Sequence, residues 1–121
     1  MRVNYVVLYV TDPAECLKFW VDKFEMVEKG RKYAGEIAIV KVGFANQDFA
    51  FELVPLALMQ ENPGGLDLTT PSIAFHVEDL ASSRGRLEAS GVTVSPIANH
   101  GGVESFAFQD NESRWFAVVS S

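Results

Sequence analysis

Two stretches of this chain follow one plan, and that repetition limits the possible fold more than any other feature. Tyr5 to Phe24 and Ser72 to Gly91 each begin with an apolar, strand-like run, Tyr5-Val6-Val7-Leu8-Tyr9-Val10 and Ser72-Ile73-Ala74-Phe75-His76-Val77. Each run closes on Val-x-Asp, at Val10-Thr11-Asp12 and at Val77-Glu78-Asp79, and a helical pattern follows each. Further β-rich runs then extend to Val54 in the first copy and Val119 in the second. The chain reads as a βαβββ unit used twice, an α+β arrangement. Spacing and pattern carry the repeat, because few positions are identical between copies.

Length and charge narrow what such a chain does. Its 121 residues suit one domain, 1–121, that buries roughly two thirds of its unfolded surface. Within it the first unit is expected at about 1–55, a linker at about 56–70 and the second unit at about 71–121. No apolar run approaches the ~18 residues of a membrane span, and no charged-then-apolar leader opens the chain, so a cytoplasmic protein is expected, with no membrane partner. Sixteen acidic against ten basic residues leave a net charge of −6. That balance opposes nucleic acid, whose phosphates it repels, and favours a cationic ligand. The single Cys16 excludes an internal disulfide and a cysteine cluster for zinc, and reads as a small apolar residue on a helix.

Strand geometry sends alternate side chains of residues 4 to 10 to opposite faces. Asp12 suits the cap of a helix over Pro13 to Phe24, with proline at the first helical position where its missing N–H costs nothing. Ala14, Leu17, Val21 and Phe24, with Trp20 beside them, form the stripe expected to pack on a sheet. Strands are expected at Met26 to Tyr33 and Ile37 to Val42 around an Ala34-Gly35 turn, and at Asp48 to Val54 after Asn46-Gln47. Pro55 to Pro71, with Asn62-Pro63-Gly64-Gly65, breaks regular structure and links the units. In the second unit Asp79 caps a helix over Leu80 to Ser90, with Leu80, Arg84 and Leu87 along one side and Gly85 weakening it by roughly 1 kcal/mol relative to Ala. Strands follow at Val92 to Ile97, Val103 to Phe108 and Trp115 to Val119.

This paired plan, with Val-x-Asp before each helix, Phe19-Trp20 late in the first, Leu87-Glu88-Ala89-Ser90-Gly91-Val92 ending the second and Phe106-Ala107-Phe108-Gln109-Asp110 near the C-terminus, resembles the vicinal oxygen chelate superfamily. That group contains glyoxalase I, extradiol dioxygenases, and fosfomycin and bleomycin resistance proteins. The resemblance covers almost the entire chain. It implies a curved mixed sheet, a half-barrel cup with helices on its convex side, and a homodimer. In the family's enzymes a metal is held from the start of the first strand and from the last strand of each unit, which implies Tyr5, Glu52, Ser72 and Ala117 here. Only Glu52 matches the family's ligand type, so the resemblance implies no complete metal site and no cofactor. The Asp-Pro-Asp-Gly turn of the family is altered to Asp110-Asn111-Glu112-Ser113, and Glu25 stands where a glycine commonly follows the first helix.

Strand parity, applied without the family, places Val6, Leu8, Val10, Phe49, Phe51, Leu53, Ile73, Phe75, Val77, Phe116 and Val118 on the faces under the helices. The opposite faces collect Tyr5, Val7, Tyr9, Ala50, Glu52, Ser72, Ala74, His76, Trp115 and Ala117, aromatic rings mixed with a few polar groups in the manner of a ligand site. The ligand-binding residues expected are therefore Tyr5, Tyr9, Glu52, Ser72, His76 and Trp115, with Glu52 the best catalytic candidate if chemistry occurs. His76 could pair with Glu52 as a residual metal set, and His100 lies in a solvated Asn99-His100-Gly101-Gly102 loop. The function expected is a glyoxalase/bleomycin resistance-like protein that binds a small organic molecule, cationic or aromatic. The alternatives are a metal-dependent lyase or dioxygenase of the same superfamily, and an interaction module that dimerises through the sheet face.

Overall fold

Asp12 and Pro13 start the first helix where the sequence places it. In the computed structural model, which describes residues 1–120, α1 spans Pro13–Phe24, and the Asp12 carboxylate accepts from the N–H groups of Ala14 and Glu15. Ser121, the last residue of the second expected unit, lies outside the described residues. Two compact units are present, Met1–Thr70 and Pro71–Ser121.

The first unit runs β1 (Val6–Val10), α1, β2 (Val27–Ala34), β3 (Ile37–Gly43) and β4 (Phe51–Pro55). Its sheet order is β1-β4-β3-β2, with β1 parallel to β4 and the other neighbours antiparallel. The second unit repeats this: β5 (Ala74–His76), α2 (Leu80–Ala89), β6 (Ala98–His100), β7 (Val103–Gln109) and β8 (Trp115–Val119), ordered β5-β8-β7-β6 with β5 parallel to β8. Identical order and strand sense in both sheets make the βαβββ repeat a fact of topology. Between the units a short 3-10 turn at Leu56–Leu58 and glycines with positive φ at Gly64 and Gly65 replace regular structure.

The core of the first unit centres on Trp20, which is fully buried among Phe19, Phe24 and Phe51 at ring-centroid distances of 5.0 to 5.2 Å. Leu8, Val10, Val40, Val42 and Leu53 are buried in the same unit, as parity expects of β1 and β4. The helix face differs from the expected stripe: Cys16 and Trp20 are the buried positions, while Ala14 and Val21 are exposed. Cys16 and Trp20 lie four residues apart with Leu17 and Phe24 alongside, so the true stripe is rotated toward the bulkiest ring, which gains most from burial. Phe49 is likewise exposed and precedes β4, edge-on to Phe51 at 5.2 Å. In the second unit Phe75, Phe108 and Phe116 form a ring cluster, and Leu80 and Leu87 of α2 are buried.

Strand boundaries also depart from expectation, and the strand expected from Asp48 begins only at Phe51. The Val92 to Ile97 run is not a strand: Val94 makes one isolated bridge to Phe108, and β6 begins at Ala98. Pro96 lacks the N–H a ladder needs, so pairing resumes beyond it. His100 therefore ends a strand opposite Val103 rather than standing in a loop, and it is exposed. The Ser72 to Val77 run shortens to Ala74–His76.

Candidate functional site

The six expected residues fall three to each unit, and in each they mark the sheet face turned away from the apolar core. Partners in register share a face, so the strand pairings extend the list. In the first unit Val7 and Lys41 flank Glu52 from β1 and β3, Tyr9 pairs with Val54, and Lys32 of β2 stands opposite Ile39.

Glu52 is the second residue of β4, a strand buried on both faces, and its side chain is 7% exposed. A carboxylate removed from water needs a counter-charge. Lys32 supplies it, with Nζ 3.5 Å from Oε2 and most of the lysine still in solvent. Lys41 lies across the neighbouring strand and lays its ammonium over the Tyr5 ring, 4.2 Å from the centroid. Tyr5 and Tyr9 are half-buried.

A β-bulge shifts the β2 register between Glu28 and Gly30, and this brings Lys32 to the Glu52 face while Arg31 stands on the other, paired with Glu28. The Glu28 carboxyl is held below its ordinary pKa, chiefly by the hydrogen bond from Arg31. Lys29, the residue in the bulge, donates to the Gln47 carbonyl and ties β2 to the β3–β4 turn. Neither lysine of the Glu52 face appears among the residues expected from sequence. The β3–β4 register is the signal that locates Lys41, whereas Lys32 is reached only once the bulge is known.

In the second unit Ala74, Ala117 and Ala107 stand side by side on three adjacent strands. Trp115 opens β8 opposite Gln109 and is 51% exposed, and His76, at the end of β5, is exposed opposite Val119. Ser72 lies before β5 and is exposed. The row of methyl groups leaves a low floor beside the indole. A flat ring can lie on such a floor and stack.

As a metal donor set Tyr5, Glu52, Ser72 and Ala117 do not fit. Ala117 has no donor atom, Glu52 is ion-paired, and the Tyr5 ring carries an ammonium. A divalent cation at Glu52 would meet two lysines, a repulsion of the order of kcal/mol each at short range. Glu52 and His76 lie in different units, and among the described residues no group of three His, Cys, Asp or Glu could hold a metal ion.

The sequence model of the Glyoxalase/Bleomycin resistance protein/Dioxygenase superfamily matches residues 2–117. Solved structures share the fold. One is TnmS3, an antibiotic binding protein from Streptomyces sp. CB03234, with 16% identity, 99% of this chain and 95% of the other covered, and a TM-score of 0.80. Another is a glyoxalase/bleomycin resistance protein/dioxygenase superfamily member from Sphaerobacter thermophilus DSM 20745, with 18% identity, 100% and 98% covered, and a TM-score of 0.79. A glyoxalase family protein from Enterococcus faecalis aligns at 15% identity over 98% and 97%, with a TM-score of 0.76. No curated protein matches the chain.

Proposed function

This chain belongs to the Glyoxalase/Bleomycin resistance protein/Dioxygenase superfamily, and from that premise we propose that it binds a small aromatic molecule on its sheet faces, without a metal. The observation that carries the reading is Trp115, an indole half in water beside the alanine row of β5, β8 and β7. Core packing does not require a large apolar ring at that place, whereas a stacking ligand uses both ring and floor. One structural relative is an antibiotic binding protein, which supports the same class of activity. The poor donor set at the family's metal positions argues against the lyase or dioxygenase alternative.

Charge at Glu52 modifies the ligand expected from sequence. A cationic group would have to displace Lys32 from the carboxylate, so the overall charge of −6 is a poor guide to this face. The protein is proposed to act as a homodimer, since each four-stranded open sheet leaves edges that association can cover.

A neutral probe, naphthalene-2-carboxamide, followed by fluorescence and equilibrium dialysis, tests the reading. Micromolar binding that weakens about tenfold in Trp115→Ala is expected, from roughly 1.4 kcal/mol of stacking and burial. Binding unaffected by that change would overturn it. Stoichiometric zinc, iron, nickel or manganese in protein purified without chelator, lost in Glu52→Gln, would hand the site to the enzyme alternative.

A further inference from the structure

We propose that Lys32 and Lys41 form an anion-recognition pair on the first unit's sheet face, where an aromatic molecule carrying an acidic substituent such as a carboxylate is held against Tyr5 and Tyr9 of the same unit. This inference rests on the small-molecule reading above and adds the ligand's charge class. On this face the register places two ammonium groups beside one carboxylate: Lys41 directly opposite Glu52, and Lys32 two residue pairs further along, opposite Ile39 and in contact with Glu52 at 3.5 Å. Glu52 balances one positive charge and leaves the other.

The geometry holds both lysines in place. Glu52 anchors Lys32, whose side chain remains 62% exposed and able to meet a second acceptor. The Tyr5 ring supports Lys41 at 4.2 Å, satisfying one side of the ammonium while the hydrogens turned from the ring stay available. Gly30, the register partner of Lys41, adds no side chain above it. Tyr5 and Tyr9 provide rings on the same face for the ligand's aromatic part. In a chain of net charge −6 this is a local reversal of sign, and charge complementarity selects an anion.

The test compares three probes of one shape: naphthalene-2-carboxylate, naphthalene-2-carboxamide and 2-naphthylmethylammonium. Wild type should bind the carboxylate about tenfold tighter than the amide, and the ammonium weakest, as a charge-assisted hydrogen bond predicts. Lys41→Met should bring carboxylate and amide to parity, and Lys41→Arg should retain the preference. Lys41 is not the partner of Glu52, so this variant keeps the ion pair even if Lys32→Met proves unstable. Amide binding with no carboxylate preference overturns the inference and leaves the small-molecule reading standing; binding of none of the three probes overturns that reading. A second readout needs no naphthalene: titrating benzoate into protein labelled at lysine Cε should shift the Lys32 and Lys41 signals and not those of Lys18 and Lys23 on α1. Equal shifts at all four, or none, overturn the pair.

Discussion

Glu25 holds a backbone conformation that most side chains avoid. Its φ of 59° is left-handed, and its N–H bonds back to the carbonyls of Trp20 and Val21 to end α1. That conformation costs an L residue roughly 1 kcal/mol, so Glu25→Gly should raise stability by up to about 1 kcal/mol in urea unfolding. A fall would mean that the Glu25 side chain contributes an interaction of its own. Asp110 is the opposite case, a buried carboxylate on which a turn is built. Its Oδ1 accepts from the N–H groups of Glu112 and Arg114, and its Oδ2 meets Arg114 Nη1 at 3.1 Å. Burial alone would lower the Arg114 pKa, yet Glu112 and Asp110 together hold it above the ordinary arginine value, so the arginine end of this network stays charged at working pH. Asp110→Ala should cost about 1–3 kcal/mol, because two backbone donors lose their acceptor. Glu28 gives a pH readout. Its folded pKa is depressed by Arg31, so the small contribution of that exposed pair is present above the ordinary glutamate pKa and lost as pH falls through the depressed one. Carbon-detected titration should place the Glu28 midpoint below that of Glu28 in Arg31→Ala.

At the scale of elements, legibility follows from whether a signal is local. Asp12-Pro13 names the start of α1 because cap and first turn involve neighbours in sequence, and the apolar alternation of β1 and β8 sorts their faces for the same reason. The rotated stripe of α1 depends on the large Trp20 finding Phe51 on another strand, which periodicity alone does not contain. The Lys32–Glu52 pair was illegible because one extra residue in β2 reverses the parity of everything after it. Glu52 itself was legible from its place between Phe51 and Leu53, but its lysine partners were not. Two glycines expose the same contrast between local and tertiary causes. Gly85 lies inside α2 with nothing within 4 Å of where a Cβ would be, so Gly85→Ala should stabilise by up to about 1 kcal/mol through helix propensity. A Cβ at Gly43 would stand 2.4 Å from the Phe49 carbonyl, so Gly43→Ala must move backbone and should cost roughly 1–3 kcal/mol. Thermal unfolding of both variants checks the signs; equal effects would refute the packing argument.

For the whole molecule, the two tryptophans report different things, and a ligand or a dimer would each alter only one of them. Trp20 has no exposed surface in the first unit's core, and Trp115 is 51% exposed in the second. Acrylamide, which is neutral, should therefore quench one part of the emission and leave a residual fraction, giving a downward-curved Stern–Volmer plot. At low salt the net charge of −6 should make iodide a weaker quencher than caesium after each is normalised to free tryptophan, and the gap should close as salt shortens the range of the field. A bound aromatic molecule on the alanine floor removes the accessible fraction without touching Trp20. Dimerisation protects Trp115 only if the interface uses that sheet face, so quenching repeated across a dilution series, with mass followed by light scattering, separates a binding face from an association face. Protection that appears with the dimer and is absent from the monomer would assign Trp115 to subunit contact. Protection that appears only with naphthalene-2-carboxamide, at constant mass, would assign it to the ligand, the outcome expected from an indole set beside Ala74, Ala117 and Ala107 rather than among large apolar neighbours.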